Sequence, residues 1–224
     1  MTSISTTTLD FLKLLKANNN REWFNEHKAE FVAEQKKVKG FYNSIMEQLK
    51  THDLIENVKI FRIYRDVRFS HDKTPFKPHF AGHFTRATNK LRGGYYLRIR
   101  PGESFMAGGF WEPNKEDLLR IRKEFETDAS EIRAIVNAPD FKKCFGKLQG
   151  NAVKSAPRGF DKNHPNIDLI RFKQFIVTRE FTDEEVLSPN FLTEVMDSFL
   201  AMRPYLDYMS EVLTTNLNGE SLAD

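Results

Sequence analysis

The amino-acid sequence predicts an α+β protein, a single domain over residues 1–224. Helical periodicity dominates the first fifty residues. Short strand-like runs with turn residues between them fill residues 58–111. Helical patterns return after Asn114, with one further strand-like run among them. Strands grouped between helices indicate an antiparallel sheet of about four to six strands packed against N-terminal, middle and C-terminal helices.

Ser5 or one of Thr6, Thr7 and Thr8 can cap a first helix in which Phe11, Leu12 and Leu15 share a face. Asn20 can cap a second, long helix. There Phe24, Phe31, Val38, Phe41, Ile45 and Leu49 recur at sums of three and four to about residue 50, and Gly40 weakens it by about 1 kcal/mol relative to Ala. VKIFRIYR at 58–65 reads as the first strand. HFAGHFTR, YYLRIRP and SFMAGGFW read as the next three, joined by ATNKLRGG and by a turn at Pro101-Gly102. Residues 58–111 are therefore the main sheet region.

Asn114 can cap KEDLLRIRKEF, with Asp117 placed three residues on in the manner of a capping box. A short helix is expected from Asp140 to Phe145, a looser stretch over 147–165, then helix IDLIRFK and strand QFIVTREF. The C-terminal helix carries Phe191, Val195, Met196, Phe199, Leu206, Met209 and Leu213 on its apolar side, and Pro204 should kink or split it. Residues 218–224 read as a frayed tail.

Twenty phenylalanines predict a core built largely of rings. The lone cysteine, Cys144, excludes an internal disulfide and reads as a buried structural thiol. The N-terminus lacks the basic and apolar regions of a signal peptide, and no run approaches the roughly 18 apolar residues of a membrane span. The expected location is the cytoplasm, with no membrane partner.

Charge is unevenly placed. Residues 57–100 hold eleven Lys or Arg against two Asp, a local net of +9, whereas the rest of the chain nets −6. Such clustering attracts anions unless the basic groups pair with acids on neighbouring helices. In YYLRIR, Tyr95, Leu97 and Ile99 face one way while Tyr96, Arg98 and Arg100 face the other. Arginine forks bind carboxylate and phosphate in bidentate fashion, so that face suits a phosphorylated or carboxylated ligand, or else forms an ion-paired exposed face.

RDVRFSHDKTPFKPHF, residues 65–80, is the densest candidate. Pro75 and Pro78 fix backbone angles, and Phe69, Phe76 and Phe80 can anchor the segment to the core. A pinned loop of this length is a common seat of function. Asp72 suits a positioned base, or a turn in which its carboxylate takes backbone amides. His71, His79 and His83 invite a metal reading. In a strand, however, His79 and His83 lie about 13 Å apart at roughly 3.3 Å per residue, too far to share an ion bound at about 2.0–2.1 Å. No metal and no cofactor is expected. The nucleotide signatures GxGxxG and GxxxxGK[ST] and the GxSxG elbow are absent. Basic residues interleaved with aromatic ones also fit a nucleic-acid groove. The pI of about 8.8 falls below the usual level, and no nucleic-acid motif accompanies it.

NNNREWF at 18–24, KIFRIYRDVRFSHDKTPFKPHF at 59–80, YYLRIRP at 95–101, GGFWEP at 108–113 and APRGFDKNHPNIDLIRFK at 156–173 occur in that order. The set resembles the uncharacterised bacterial and fungal family known as domain of unknown function 2461, over nearly the whole chain. The resemblance implies one domain and brings no established reaction. The family's loop usually carries tyrosine where this chain has Phe76, so the hydroxyl is missing at that position.

The functional expectation is a small anionic ligand, bound or acted upon. Arg62, Arg65, Arg68, Lys73, Lys77, Arg98 and Arg171 would supply charge, with Asp72 and His79 as acid or base. The alternatives are a non-catalytic interaction or nucleic-acid module, and an internal ion-pair network of Arg62, Arg65 and Arg68 with Asp66 and Asp72.

Overall fold

The computed structural model describes residues 3–68 and 71–222. The described chain runs α1 (Thr6–Ala17), α2 (Arg21–Glu26), α3 (Lys28–Leu49), β1 (Ile55–Ile60), β2 (Phe80–Arg86), β3 (Gly94–Ile99) and β4 (Ser104–Phe110). It continues through α4 (Lys115–Thr127), α5 (Ser130–Asn137), α6 (Pro139–Phe145), α7 (Ile167–Ile170), β5 (Phe175–Phe181), α8 (Asp183–Leu187) and α9 (Phe191–Thr214). The strands form one antiparallel sheet in the order β1-β2-β3-β4-β5, an α+β fold. No helix among the described residues is long and apolar enough to cross a membrane.

Local chemistry sets the boundaries. Asn20 accepts a hydrogen bond from Trp23 N at 2.9 Å and starts α2. The long helix expected from Phe24 onward is interrupted at His27, whose Nδ1 donates to Trp23 O at 2.8 Å while its ring stacks 4.1 Å from that of Trp23. Side chains that satisfy the preceding turn in this way compete with the helical ladder. Asn114 accepts from Asp117 N at 2.8 Å and starts α4 as expected.

The first strand begins and ends earlier than VKIFRIYR suggests. Its pairing nevertheless continues past β1: Phe61 N donates to Ala81 O, Lys77 N to Ile63 O and Arg65 N to Pro75 O, and Tyr64 bridges Phe76. Pro75 and Pro78 lack an N–H, so this extension cannot become a regular strand. The described part of the β1–β2 connection is thus a long hairpin, with 66–68 and 71–74 beyond its last paired residues.

Pro204 does not split α9. Met202, Tyr205, Leu206 and Met209 on either side of it are fully buried, and that packing holds the helix through the lost bond. The segment expected to fray turns back instead: Leu222 N donates to Thr214 O at 2.7 Å and Thr215 bridges Ser221, while residues 223–224 lie outside the described part. Cys144 is half-buried, because Phe141 and Phe145 take the inward side of α6.

The chain forms two compact units, each assembled from separate segments. The first comprises Met1–Thr85, Tyr96–Met106 and Glu180–Asp197; the second comprises Arg86–Tyr95, Ala107–Arg179 and Ser198–Asp224. Rings fill the core of the first: Phe24 stacks on Phe76 at 4.0 Å, Tyr42 on Phe84 at 5.9 Å and Phe41 on Phe191 at 5.5 Å. Tyr42 meets its buried hydroxyl's need by donating to Leu97 O at 2.9 Å. Gly82 makes room for that ring, since a Cβ there would sit 2.5 Å from it. In the second unit Tyr205 donates to Phe175 O at 2.8 Å, and Tyr95 lies 4.9 Å from Phe199.

Candidate functional site

The candidate site belongs to the first unit. Leu97 and Ile99 in β3 are fully buried, whereas Tyr96, Arg98 and, just beyond the strand, Arg100 are half-buried. This is the two-face alternation expected of YYLRIR. His79 stands immediately before β2. Arg65 and Lys77 stand on opposite arms of the extended hairpin, held by the Arg65–Pro75 and Lys77–Ile63 backbone bonds. Asn19 fixes the second arm, because its side chain donates to Phe76 O at 3.0 Å and accepts from Phe76 N at 3.1 Å. Phe76 itself is buried against Phe24 and packs as an apolar anchor. Phe69 lies outside the described residues.

The electrostatics of the cluster are one-sided. Burial lowers the His79 pKa to about 4, and the charges of Arg98, Arg100, Lys77 and Arg65 add to that effect. At neutral pH the imidazole is therefore uncharged. Burial also lowers the Lys77 pKa, helped by Arg62 and Arg65. Arg65 Nε, His79 Nδ1 and Arg100 Nε are buried with no hydrogen-bond partner among the described residues. A buried polar group left in that state costs about 1–3 kcal/mol. Two acids reach the cluster. Asp72 lies 3.0 Å from Arg65 Nη2, and the Glu103 carboxylate lies 3.1 Å from Arg100 Nη1.

The other residues singled out in the sequence have different places. Asp72 is exposed and accepts from Thr74 N at 2.9 Å and Thr74 Oγ1 at 2.7 Å, bonds that hold its carboxyl below its ordinary pKa. That is the turn geometry, with Arg65 as an added partner. Arg68 is exposed and grips Asp66 in bidentate fashion at 3.0 and 2.7 Å. Lys73 Nζ donates to Val67 O at 2.9 Å, tying the hairpin tip together. Arg62 is exposed, and its charge acts on both Asp66 and Lys77. Arg171 belongs to the second unit, where Nε donates to Val153 O at 2.7 Å and joins two irregular segments. Arg100 is not among the residues the sequence singles out for a site, although the YYLRIR alternation puts it on the face of Tyr96 and Arg98. No group of three or more His, Cys, Asp or Glu among the described residues is placed to hold a metal ion.

Two clefts of about 340 Å³ each open from this part of the first unit, and both reach Gly102. Arg98, Phe105, Glu180 and Thr182 line one. Lys13, Lys16, Pro78, Arg100 and Asp183 line the other, so three cations and one acid share it.

A family model described as a conserved hypothetical protein (DUF2461) matches residues 7–208. No curated protein and no solved structure matches the chain.

Proposed function

We propose that this chain, which belongs to the conserved hypothetical protein family DUF2461, binds a small phosphorylated or carboxylated ligand at Arg65, Lys77, Arg98 and Arg100 around His79. The observation that carries the reading is the set of three buried, unpartnered nitrogens on Arg65, His79 and Arg100. Each unmade bond costs about 1–3 kcal/mol, and here three fall within one cluster of like charge. An anion supplies acceptor oxygens and negative charge together, and arginine forks match that geometry. Neutralising the surrounding charge would also return the His79 pKa toward its ordinary value. A proton donor would then lie against the ligand, which is the form an enzymatic role would take. The site suits the anionic metabolites of the cytoplasm, where we place the protein.

The test is thermal unfolding and titration calorimetry with phosphate, pyrophosphate and citrate. An anion at 100 times its Kd should stabilise by about 2.7 kcal/mol, a rise of roughly 5–10 °C in Tm for a chain of this size. Arg65→Ala and Arg100→Ala should each abolish most of the rise. Absence of any rise in a folded wild-type protein would overturn the proposal.

A further inference from the structure

We infer that the ligand carries a planar ring as well as its anionic group, and that the cleft beside Arg98 and Phe105 receives that ring: the ligand class is a nucleotide. This inference rests on the anion-binding reading above and extends it.

Three aromatic rings lie in a row in the first unit. Phe61 is 6.4 Å from Tyr96, and Tyr96 is 5.5 Å from Phe105. All three are half-buried or more exposed, unlike the core rings Tyr42 and Phe84. Over the last of them lies Arg98, its Cζ 4.2 Å from the Phe105 centroid. The guanidinium is held there by its own edge, since Nη2 donates to Glu103 O at 2.9 Å and Nε at 3.3 Å. A guanidinium fixed over a ring is a ready stacking surface for a base, and 22% of the Arg98 side chain remains in solvent to be covered.

The distribution of charge separates the two ends of the ligand. Arg98 is the link, because it lines the cleft and its charge also acts on His79. Beyond Arg98 the cleft wall turns acidic and polar, with Glu180 and Thr182. A bare phosphate gains nothing from Glu180. A base with amino donors does, and its phosphate then extends toward Arg65, Lys77 and Arg100. The cleft volume of about 340 Å³ falls at the lower end of small-molecule sites, which suits a mononucleotide.

Calorimetry with AMP, ribose 5-phosphate and inorganic phosphate tests this on the full chain. AMP should bind on the order of 10-fold tighter than ribose 5-phosphate, the gain expected of one stacked base. Phe105→Leu should bring AMP binding down to the level of ribose 5-phosphate, while Phe105→Tyr should retain the difference. Equal binding of AMP and ribose 5-phosphate would overturn the ring and leave the anion site standing. Failure of all three probes would overturn both. An octauridylate arm separates the sources of the nucleotide. Tighter, steeply salt-dependent binding assigns the site to a strand, and weaker binding than AMP assigns it to the free nucleotide.

Discussion

Two buried arginine environments, one in each unit, set a standard for each other. In the second unit the Arg86 side chain is fully buried and brings its partners with it. Nη2 donates to Asp207, and Nη1 donates to Ser210 Oγ at 3.2 Å and to Arg92 O at 3.4 Å. Ser210 in turn accepts from Arg92 N at 2.9 Å. A buried Nε outside the hydrogen-bond network is common to both environments, on Arg86 as on Arg65 and Arg100; the first unit adds His79 Nδ1, with Lys77 and Arg98 acting on the same imidazole. The two carboxylates beside Arg65 and Arg100, Asp72 and Glu103, are about half exposed. The same residue type thus serves two ends. One arrangement sets a fully buried guanidinium against its own carboxylate; the other gathers Arg65, Lys77, Arg98 and Arg100 around His79 with two half-exposed acids.

The largest expected effect lies with Arg86. Asp207→Ala leaves Arg86 buried without its carboxylate and should cost about 3 kcal/mol in urea unfolding, the lower end for a broken buried pair because Asp207 is partly exposed. A loss below about 1 kcal/mol would remove the distinction between the two environments. Next comes Arg65→Ala. The Arg65–Asp72 pair is largely exposed on the acid side, so stability should change by about 1 kcal/mol or less while phosphate affinity falls at least about 10-fold. Unfolding of this variant would place Arg65 with Arg86.

The hydrogen-ion dependence sharpens the same contrast. His79 has a folded pKa of about 4 against an ordinary 6.5. Between those values the unfolded chain binds the extra proton, so stability rises with pH from about 4 to 6.5 and is lost as pH falls through that window. His79→Gln should flatten that part of the profile. Added phosphate should shift the His79 titration, followed by NMR of its ring protons, upward toward 6.5. An unmoved titration would mean that the anion binds elsewhere.

Much of this architecture is legible in the sequence, and the exceptions share a cause. Periodicity and capping residues place α1, α4 and α9 and the strands β2 to β5, because apolar alternation and Asn114 act locally. The break at His27 is invisible to periodicity, since Phe24 and Phe31 keep the helical spacing across it; only the Trp23–His27 contact reveals it. Pro204 does not split α9, because tertiary burial overrides a local rule there. The +9 charge of residues 57–100 marks a basic segment without distinguishing Arg86, buried against Asp207, from Arg65 beside the half-exposed Asp72. Arg68 with Asp66 and Lys73 with Val67 are two and six residues apart, yet those contacts depend on the shape of the hairpin tip. Arg86, inside the same basic segment, proves structural only once Asp207 is brought to it, 121 residues along the chain.

Asp72 offers the smallest effect and the most direct discrimination between its two readings. As a turn former it accepts Thr74 N and Oγ1, and as an acid it neutralises part of Arg65. Asp72→Asn keeps a side-chain oxygen for the turn and removes the charge. If Asp72 competes with the ligand for Arg65, phosphate affinity should rise by about threefold, the scale of an exposed ion pair released. If Asp72 instead orients Arg65 toward the ligand, affinity should fall. Because the turn is preserved in either case, calorimetry of this one variant reads the charge on Arg65 alone. A fall in affinity would make the carboxylate part of the binding geometry.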